Sequence, residues 1–211
     1  MNRASTSTEP MVYVVDDDEA MRNSLKWLIE SVGLRVETYG SADDFLRGYY
    51  PGRGGCLLLD VRMPGMSGLE LQEHLAEHQA HLPVIVITGH GDVPMAVRAM
   101  KAGAVDFIEK PFNDEFLLDS IRRALAVDAE QRGLQARQAE IATRLALLTP
   151  REHEVMEMVA DGRSNKEIAN ALGVSAKTVE AHRARVMEKM EARSLAELVR
   201  MVLTASLGER S

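Results

Sequence analysis

Met11-Val12-Tyr13-Val14-Val15-Asp16-Asp17-Asp18 is an apolar run that ends in carboxylates. The same form recurs at Cys56-Leu57-Leu58-Leu59-Asp60 and at Val84-Ile85-Val86-Ile87-Thr88. A fourth run, Val105-Asp106-Phe107-Ile108, leads into Glu109-Lys110-Pro111. Short apolar runs rich in Val, Ile and Leu are the pattern of strands buried on both faces. Arg35–Tyr39 reads as one further strand. Helical spacing fills the gaps: Ala20–Ser31 with Met21, Leu25, Leu28 and Ile29, then Ala42–Arg47, Gly68–Glu77 and Val93–Ala102. A last helix begins at Asn113, with Phe116, Leu117 and Ile121 on one face. Strands alternating with helices make a doubly wound, five-stranded parallel sheet. Such a sheet collects its chemistry outside the carboxyl ends of the strands. Asp16, Asp17, Asp60, Thr88 and Lys110 therefore meet at one rim. Three carboxylates, a hydroxyl and an ammonium suit a Mg²⁺ ion beside an aspartate that accepts a phosphoryl group.

The remainder of the chain is helical. From Ala124 to Leu148 there is no Pro and a single Gly, and Ala, Gln, Glu and Arg dominate. This reads as a helical linker over 126–147 that continues from the first domain. Val127, Leu134, Ile141 and Leu148 fall seven apart, either as a coiled-coil seam or on a solvated helix. Thr149-Pro150-Arg151-Glu152 has the form of a capping box with Pro in the first turn, and Val155, Met158 and Val159 form the buried face behind it. Asn165–Leu172, Gly173-Val174 and Ser175–Met190 make a helix-turn-helix. Ser194–Leu203 completes a four-helix, all-α domain over 148–211.

Composition bounds the function class. A chain of 211 residues holds two modest domains. No apolar stretch reaches the roughly 20 residues of a membrane helix. Residues 1–10 are polar, lack the features of a signal peptide and read as a disordered tail. Cys56 is the single cysteine, so no intrachain disulfide is possible, and a cytoplasmic location is expected. Of the chain's 25 basic and 32 acidic side chains, 12 and 19 fall before Ala124. From Thr149 onward there are 10 of each, so any affinity for nucleic acid is local rather than global.

Val15-Asp16-Asp17-Asp18, Leu59-Asp60-Val61-Arg62-Met63-Pro64-Gly65, Ile87-Thr88-Gly89-His90 and Lys110-Pro111-Phe112 together resemble the receiver domain of two-component response regulators. Gly162-Arg163-Ser164-Asn165-Lys166-Glu167-Ile168-Ala169 and Val174-Ser175-Ala176-Lys177-Thr178-Val179-Glu180-Ala181-His182 are similar to LuxR-type DNA-binding domains. The combination looks like a regulator of the FixJ type. The resemblance implies a receiver over 11–125 with Asp60 as phosphoacceptor. It implies Mg²⁺ held by Asp17, Asp60 and the backbone carbonyl of Arg62, with Asp16 acting mainly through a metal-bound water. Lys110 would pair with Asp60 or the phosphoryl oxygen, behind a cis bond to Pro111. Thr88 and Phe107 would form the switch. Arg62 and His90 stand where the family tunes phosphoryl lifetime, and His90 is read as a loop residue that obstructs or orders water. Asp18 receives no site role. The implied partners are a sensor histidine kinase, operator DNA, RNA polymerase and, on phosphorylation, a second copy of the chain. No enzyme class is expected: a haloacid-dehalogenase-like hydrolase needs an aspartate where Arg62 stands.

On the recognition helix, Val179, His182, Val186 and Met190 share the core face. Lys177, Glu180, Ala181, Ala184 and Glu188 line the opposite one, which enters the major groove in the family. Glu180 either accepts from a cytosine or orients nearby arginines, and Ala181 meets a thymine methyl. Lys166, Lys177, Thr178, Arg183 and Arg185 are candidate phosphate contacts.

Overall fold

A computed structural model describes residues 9–208 apart from 51, 79 and 90. Most of the tail expected over 1–10 thus lies outside the described residues. The chain divides into two compact units, Met1–Arg132 and Gly133–Ser211.

In the first unit the strands are β1 (Met11–Val15), β2 (Arg35–Tyr39), β3 (Gly55–Asp60), β4 (Val84–Thr88) and β5 (Asp106–Glu109). All pair in parallel, in the order β2-β1-β3-β4-β5. Between them run α1 (Glu19–Ser31), α2 (Ala42–Gly48), α3 (Gly68–Glu77) and α4 (Val93–Lys101), and α5 (Asp114–Leu145) follows β5. Alternation along the strands divides the core. Tyr13, Val15, Leu57, Leu59 and Val86 face Phe45, Leu71, Leu75 and Ala99 of α2, α3 and α4. Val12, Val14, Leu58, Ile85 and Ile87 face Leu25 and Ile29 of α1 and Leu117, Ile121 and Ala124 of α5. Cys56 lies in this second layer, fully buried, and burial pushes its thiol pKa up.

Elements and sequence expectations differ in a few places. Strand β5 begins at Asp106 rather than Val105. Asn113 lies outside α5, and its side chain accepts from the Glu115 and Phe116 amides. The buried face of α5 is Leu117, Leu118, Ile121 and Ala124, whereas Phe116 is 49% exposed. The α5 helix runs without interruption through the linker for 32 residues. Asp128 and Arg132 fasten it to the β2–β3 loop of the first unit: Asp128 accepts from the Gly55 amide at 2.9 Å, and Arg132 donates to the Gly52 carbonyl. The heptad positions do not share one fate. Val127 and Leu134 are 44% and 55% exposed, Ile141 is buried in the second unit's core, and Leu148 lies beyond the helix end.

The second unit contains α6 (Pro150–Ala160), α7 (Asn165–Leu172), α8 (Ala176–Lys189) and α9 (Leu195–Gly208). Thr149 with Glu152, and Ser164 with Glu167, form complete capping boxes, and Ser175 caps α8. Gly173, at φ 66°, ends α7 in the left-handed conformation that a residue without Cβ adopts at little cost. The core gathers Val155, Met156, Val159, Ile168, Val179, Val186, Met190 and Leu198. Met156, not Met158, is the fully buried methionine of α6.

Candidate phosphoacceptor rim and DNA-facing helix

Strand order reverses between β1 and β3, and such a switch point opens a crevice at the carboxyl ends. The register brings functional side chains to it. Val15 pairs with Leu59, so Asp16 and Asp60 follow at the same level. Asp60 pairs with Ile87 and Thr88 with Glu109, so Thr88 and Lys110 lie one step further out. Asp16, Asp60 and Thr88 are buried. Lys110 Nζ donates to Asp16 Oδ2 at 2.8 Å and to Asp60 Oδ1 at 2.7 Å. Asp60 Oδ2 accepts from the Arg62 amide at 2.7 Å, and Asp16 Oδ1 from the Asp18 amide at 2.9 Å.

Burial pushes the Asp60 carboxyl above the usual aspartate value, against the pull of the Lys110 hydrogen bond. Burial pulls Lys110 down, but its bonds to Asp16 and Asp60 outweigh this and raise it above the usual lysine value. An ammonium within hydrogen-bond reach of two carboxylates stays charged, leaving an anionic cluster of two acids around one cation. Two convergent carboxylates that already share a cation fit Mg²⁺, which takes one or two carboxylates and keeps several waters. Asp17 stands exposed on the rim beside them. Among the described residues, no three His, Cys, Asp or Glu side chains are gathered closely enough to enclose an ion.

The surrounding loops are fixed in detail. The Lys110 amide donates to the Thr88 carbonyl at 2.8 Å, and the Lys110–Pro111 peptide is cis. Half-buried Phe107 packs on the core layer of α2, α3 and α4. A Cβ at Gly91 would stand 3.0 Å from the Phe107 ring. His90, expected to screen water, lies outside the described residues.

Three residues here were assigned no site role from sequence. Asp18 caps α1, accepting from the Ala20 and Met21 amides, and an Asp directly before a helix is a readable cap signal. Gly68 starts α3 so close to the acceptor that a Cβ would stand 2.1 Å from the Asp60 carbonyl oxygen. Arg22 donates from Nη1 to the Asp16 and Asp17 carbonyls at 2.7 and 2.9 Å.

In the second unit, Val179, Val186 and Met190 are buried, and Lys177, Glu180, Ala181, Ala184 and Glu188 are exposed on the other face of α8. His182 is half-buried, with Nδ1 enclosed and without a partner among the described residues. Lys166, Thr178 and Arg185 are exposed. Arg183 is half-buried and turns to α7, donating to Asn165 Oδ1 at 2.7 Å. Lys189, at the end of α8, donates to Glu152 at 2.6 Å and to the Leu147 carbonyl at 3.0 Å.

Residues 12–122 match the family described as response regulator receiver domain, and residues 146–202 match bacterial regulatory proteins, luxR family. The chain is 51% identical over 196 residues to the transcriptional regulatory protein FixJ of Azorhizobium caulinodans, covering 93% of each chain. It is 49% identical over 201 residues to nodulation protein W of Bradyrhizobium diazoefficiens, covering 95% of this chain and 88% of that one. Among solved structures, response regulator StyR aligns with TM-score 0.85 at 46% identity, over 92% of this chain and 98% of StyR. Full-length FixJ from B. japonicum aligns with TM-score 0.57 at 46% identity, over 95% and 99%.

Proposed function

The chain belongs to the response regulators that join a receiver domain to a LuxR-type DNA-binding domain, as FixJ does, and on that premise we propose that phosphorylation of Asp60 governs its binding to operator DNA. The family is one of two-component transcriptional regulators rather than of classical enzymes. The observation that carries the assignment of Asp60 is the Lys110 ammonium held between Asp16 and Asp60 at the switch point of the sheet.

A histidine kinase supplies the phosphoryl group. The Asp60 carboxylate attacks phosphorus, the phosphorus–nitrogen bond of the phosphohistidine breaks, and an acyl phosphate forms. Lys110 is placed to follow the new negative charge, leaving one carboxylate oxygen for a phosphoryl oxygen. Asp16, Asp17, Asp60 and the Arg62 carbonyl are the groups that would hold Mg²⁺, which when bound offsets charge repulsion between carboxylate and phosphoryl group. Thr88 offers its hydroxyl to the phosphoryl oxygen, and Phe107, next to it in space through Gly91, completes the switch.

Phosphorylation then pairs two receivers through α4. Val93, Val97 and Met100 are exposed there, and an apolar patch of this kind is what a partner covers. Arg98 is already engaged, donating through Nε and Nη2 to both carboxylate oxygens of Glu73 at 2.9 Å. Paired second units place α8 on a two-fold site. There Glu180, Ala181 and Ala184 face bases, while Lys166, Lys177, Thr178, Arg183 and Arg185 serve the phosphates. RNA polymerase is the downstream partner, and the protein works in the cytoplasm; among the described residues no helix is long and apolar enough to cross a membrane. Incubation with Mg²⁺ and acetyl phosphate should add one phosphoryl group to the chain and none to Asp60→Asn. Equal labelling of the variant would remove the assignment.

A further inference from the structure

One side chain reaches across the loop that carries the acidic pair. Arg22 sits in the first turn and a half of α1 and reaches back with Nη1 to two consecutive carbonyls, those of Asp16 and Asp17. Those carbonyls belong to the two peptide planes that flank Asp17. Fixing both fixes the backbone dihedrals of Asp17, and with them the direction of its Cβ. The Asp18 amide on Asp16 Oδ1 also restrains the second of these planes, but among the described residues Arg22 alone binds both. The Asp17 side chain itself is exposed and has no hydrogen bond or ion pair among the described residues. Asp16 is held independently, through its amide on the Tyr39 carbonyl and its carboxylate on Lys110 and Asp18. On its other side the Arg22 guanidinium lies against the backbone of Gly40, where an added Cβ would stand 3.6 Å away. The half-buried guanidinium thus bridges the β1–α1 loop and the β2–α2 turn.

Its location is costly for the helix. A cation near a helix N-terminus opposes the macrodipole, which the neighbouring Asp18 and Glu19 favour. It also adds positive charge beside a site that must attract a cation. A side chain serving only α1 stability or the field of the rim would not be positive here. We propose that Arg22 is the positioning residue of the divalent-cation site, presetting Asp17 through the backbone so that the rim is organised before Mg²⁺ arrives. This rests on the reading of Asp60 as an acceptor assisted by Mg²⁺.

The test uses the full chain as wild type, Arg22→Ala and Arg22→Lys. Mg²⁺ binding to the unphosphorylated protein is read by calorimetry, and the Mg²⁺ dependence of labelling by acetyl phosphate is read alongside. Loss of an outer partner typically weakens metal affinity by about 10- to 100-fold. Both variants should show a shift of that order, because Lys retains the charge but not the planar pair of N–H donors. Excess Mg²⁺ should restore the labelling rate to near wild type, with far-ultraviolet dichroism unchanged. Unaltered or tighter Mg²⁺ binding in both variants would overturn the proposal. So would tighter binding in Arg22→Ala alone, which assigns the residue to charge, and so would a rate loss that Mg²⁺ does not restore. If the wild type takes up no phosphoryl group, the Asp60 reading fails instead, and calorimetry still decides on Arg22.

Discussion

Replacing Glu152 with glutamine should loosen the second unit by about 2 kcal/mol, and the loss should vanish with acid. Glu152 is 2% exposed. Its carboxylate accepts from Lys189 Nζ at 2.6 Å and from the Thr149 amide at 2.9 Å. The Lys189 bond first, and the Thr149 amide second, hold its pKa down from 4.5 to about 2, against the opposing effect of burial. At about 1.4 kcal/mol per unit, this corresponds to roughly 3 kcal/mol of stability for the ionised form. Lys189 is 32% exposed, so solvent screening and the bonds glutamine retains reduce the expected loss to about 2 kcal/mol. The folded pKa is depressed, so the contribution is fully present above the unfolded value of 4.5 and fades as pH falls toward about 2. The gap between wild type and Glu152→Gln should therefore be flat near neutrality and roughly halved around pH 3. The single tryptophan, Trp27, lies in the first unit and is blind to this change. Hydrogen exchange of the α6 and α8 amides in the full chain reads the second unit directly. A gap below about 0.5 kcal/mol near neutrality, the range of an ordinary surface substitution, would refute the reasoning. A gap that ignores pH would do the same.

Gly68→Ala should cost about 1–3 kcal/mol in urea unfolding and slow labelling of Asp60, because the new Cβ meets the Asp60 carbonyl oxygen at 2.1 Å; unchanged stability and rate would count against the tight α3 contact. Val97→Glu should abolish the monomer-to-dimer shift that a beryllofluoride mimic induces in ultracentrifugation, since Val97 is 46% exposed on α4; a shift that persists puts the interface elsewhere. Glu180→Ala should relax base preference at one position per half-site, worth about 1–3 kcal/mol. Lys177→Ala should weaken all sequences alike and flatten the salt slope by about one unit. A randomised operator library at several salt concentrations separates the two, and unchanged preference in Glu180→Ala would leave Glu180 as an orienting residue.

Much of the first unit was legible because strands buried on both faces are written as unbroken apolar runs. The rim followed from the residues that end those runs, since a parallel sheet leaves little choice about where they meet. The β5 boundary escaped because Asp106 turns to α5, held by Ser120 and Arg123, and a half-buried acid inside an apolar run carries no period. Phe116 and Met158 were placed on buried faces by residue type, yet helical spacing alone does not choose between neighbours such as Met156 and Met158. The spacing of Val127, Leu134, Ile141 and Leu148 is real, but different surroundings along α5 give those residues different fates. The Arg22 contact leaves no mark in a pattern of residue types, because both its acceptors are backbone. In α8 the burial of Val179, Val186 and Met190 was legible from spacing. The hydrogen bond from Arg183 to Asn165 was not, because it depends on how α7 and α8 cross.

Cys56 sits on β3, four residues before the acceptor, with its sulfur sealed inside the sheet and its proton held by burial. A thiol kept in that form is a poor nucleophile. Oxidants and alkylating reagents that reach the folded chain therefore meet no reactive thiol, and the strand that bears Asp60 is insulated from thiol chemistry. Introduced surface cysteines can accordingly carry a spectroscopic label with the native one left in place.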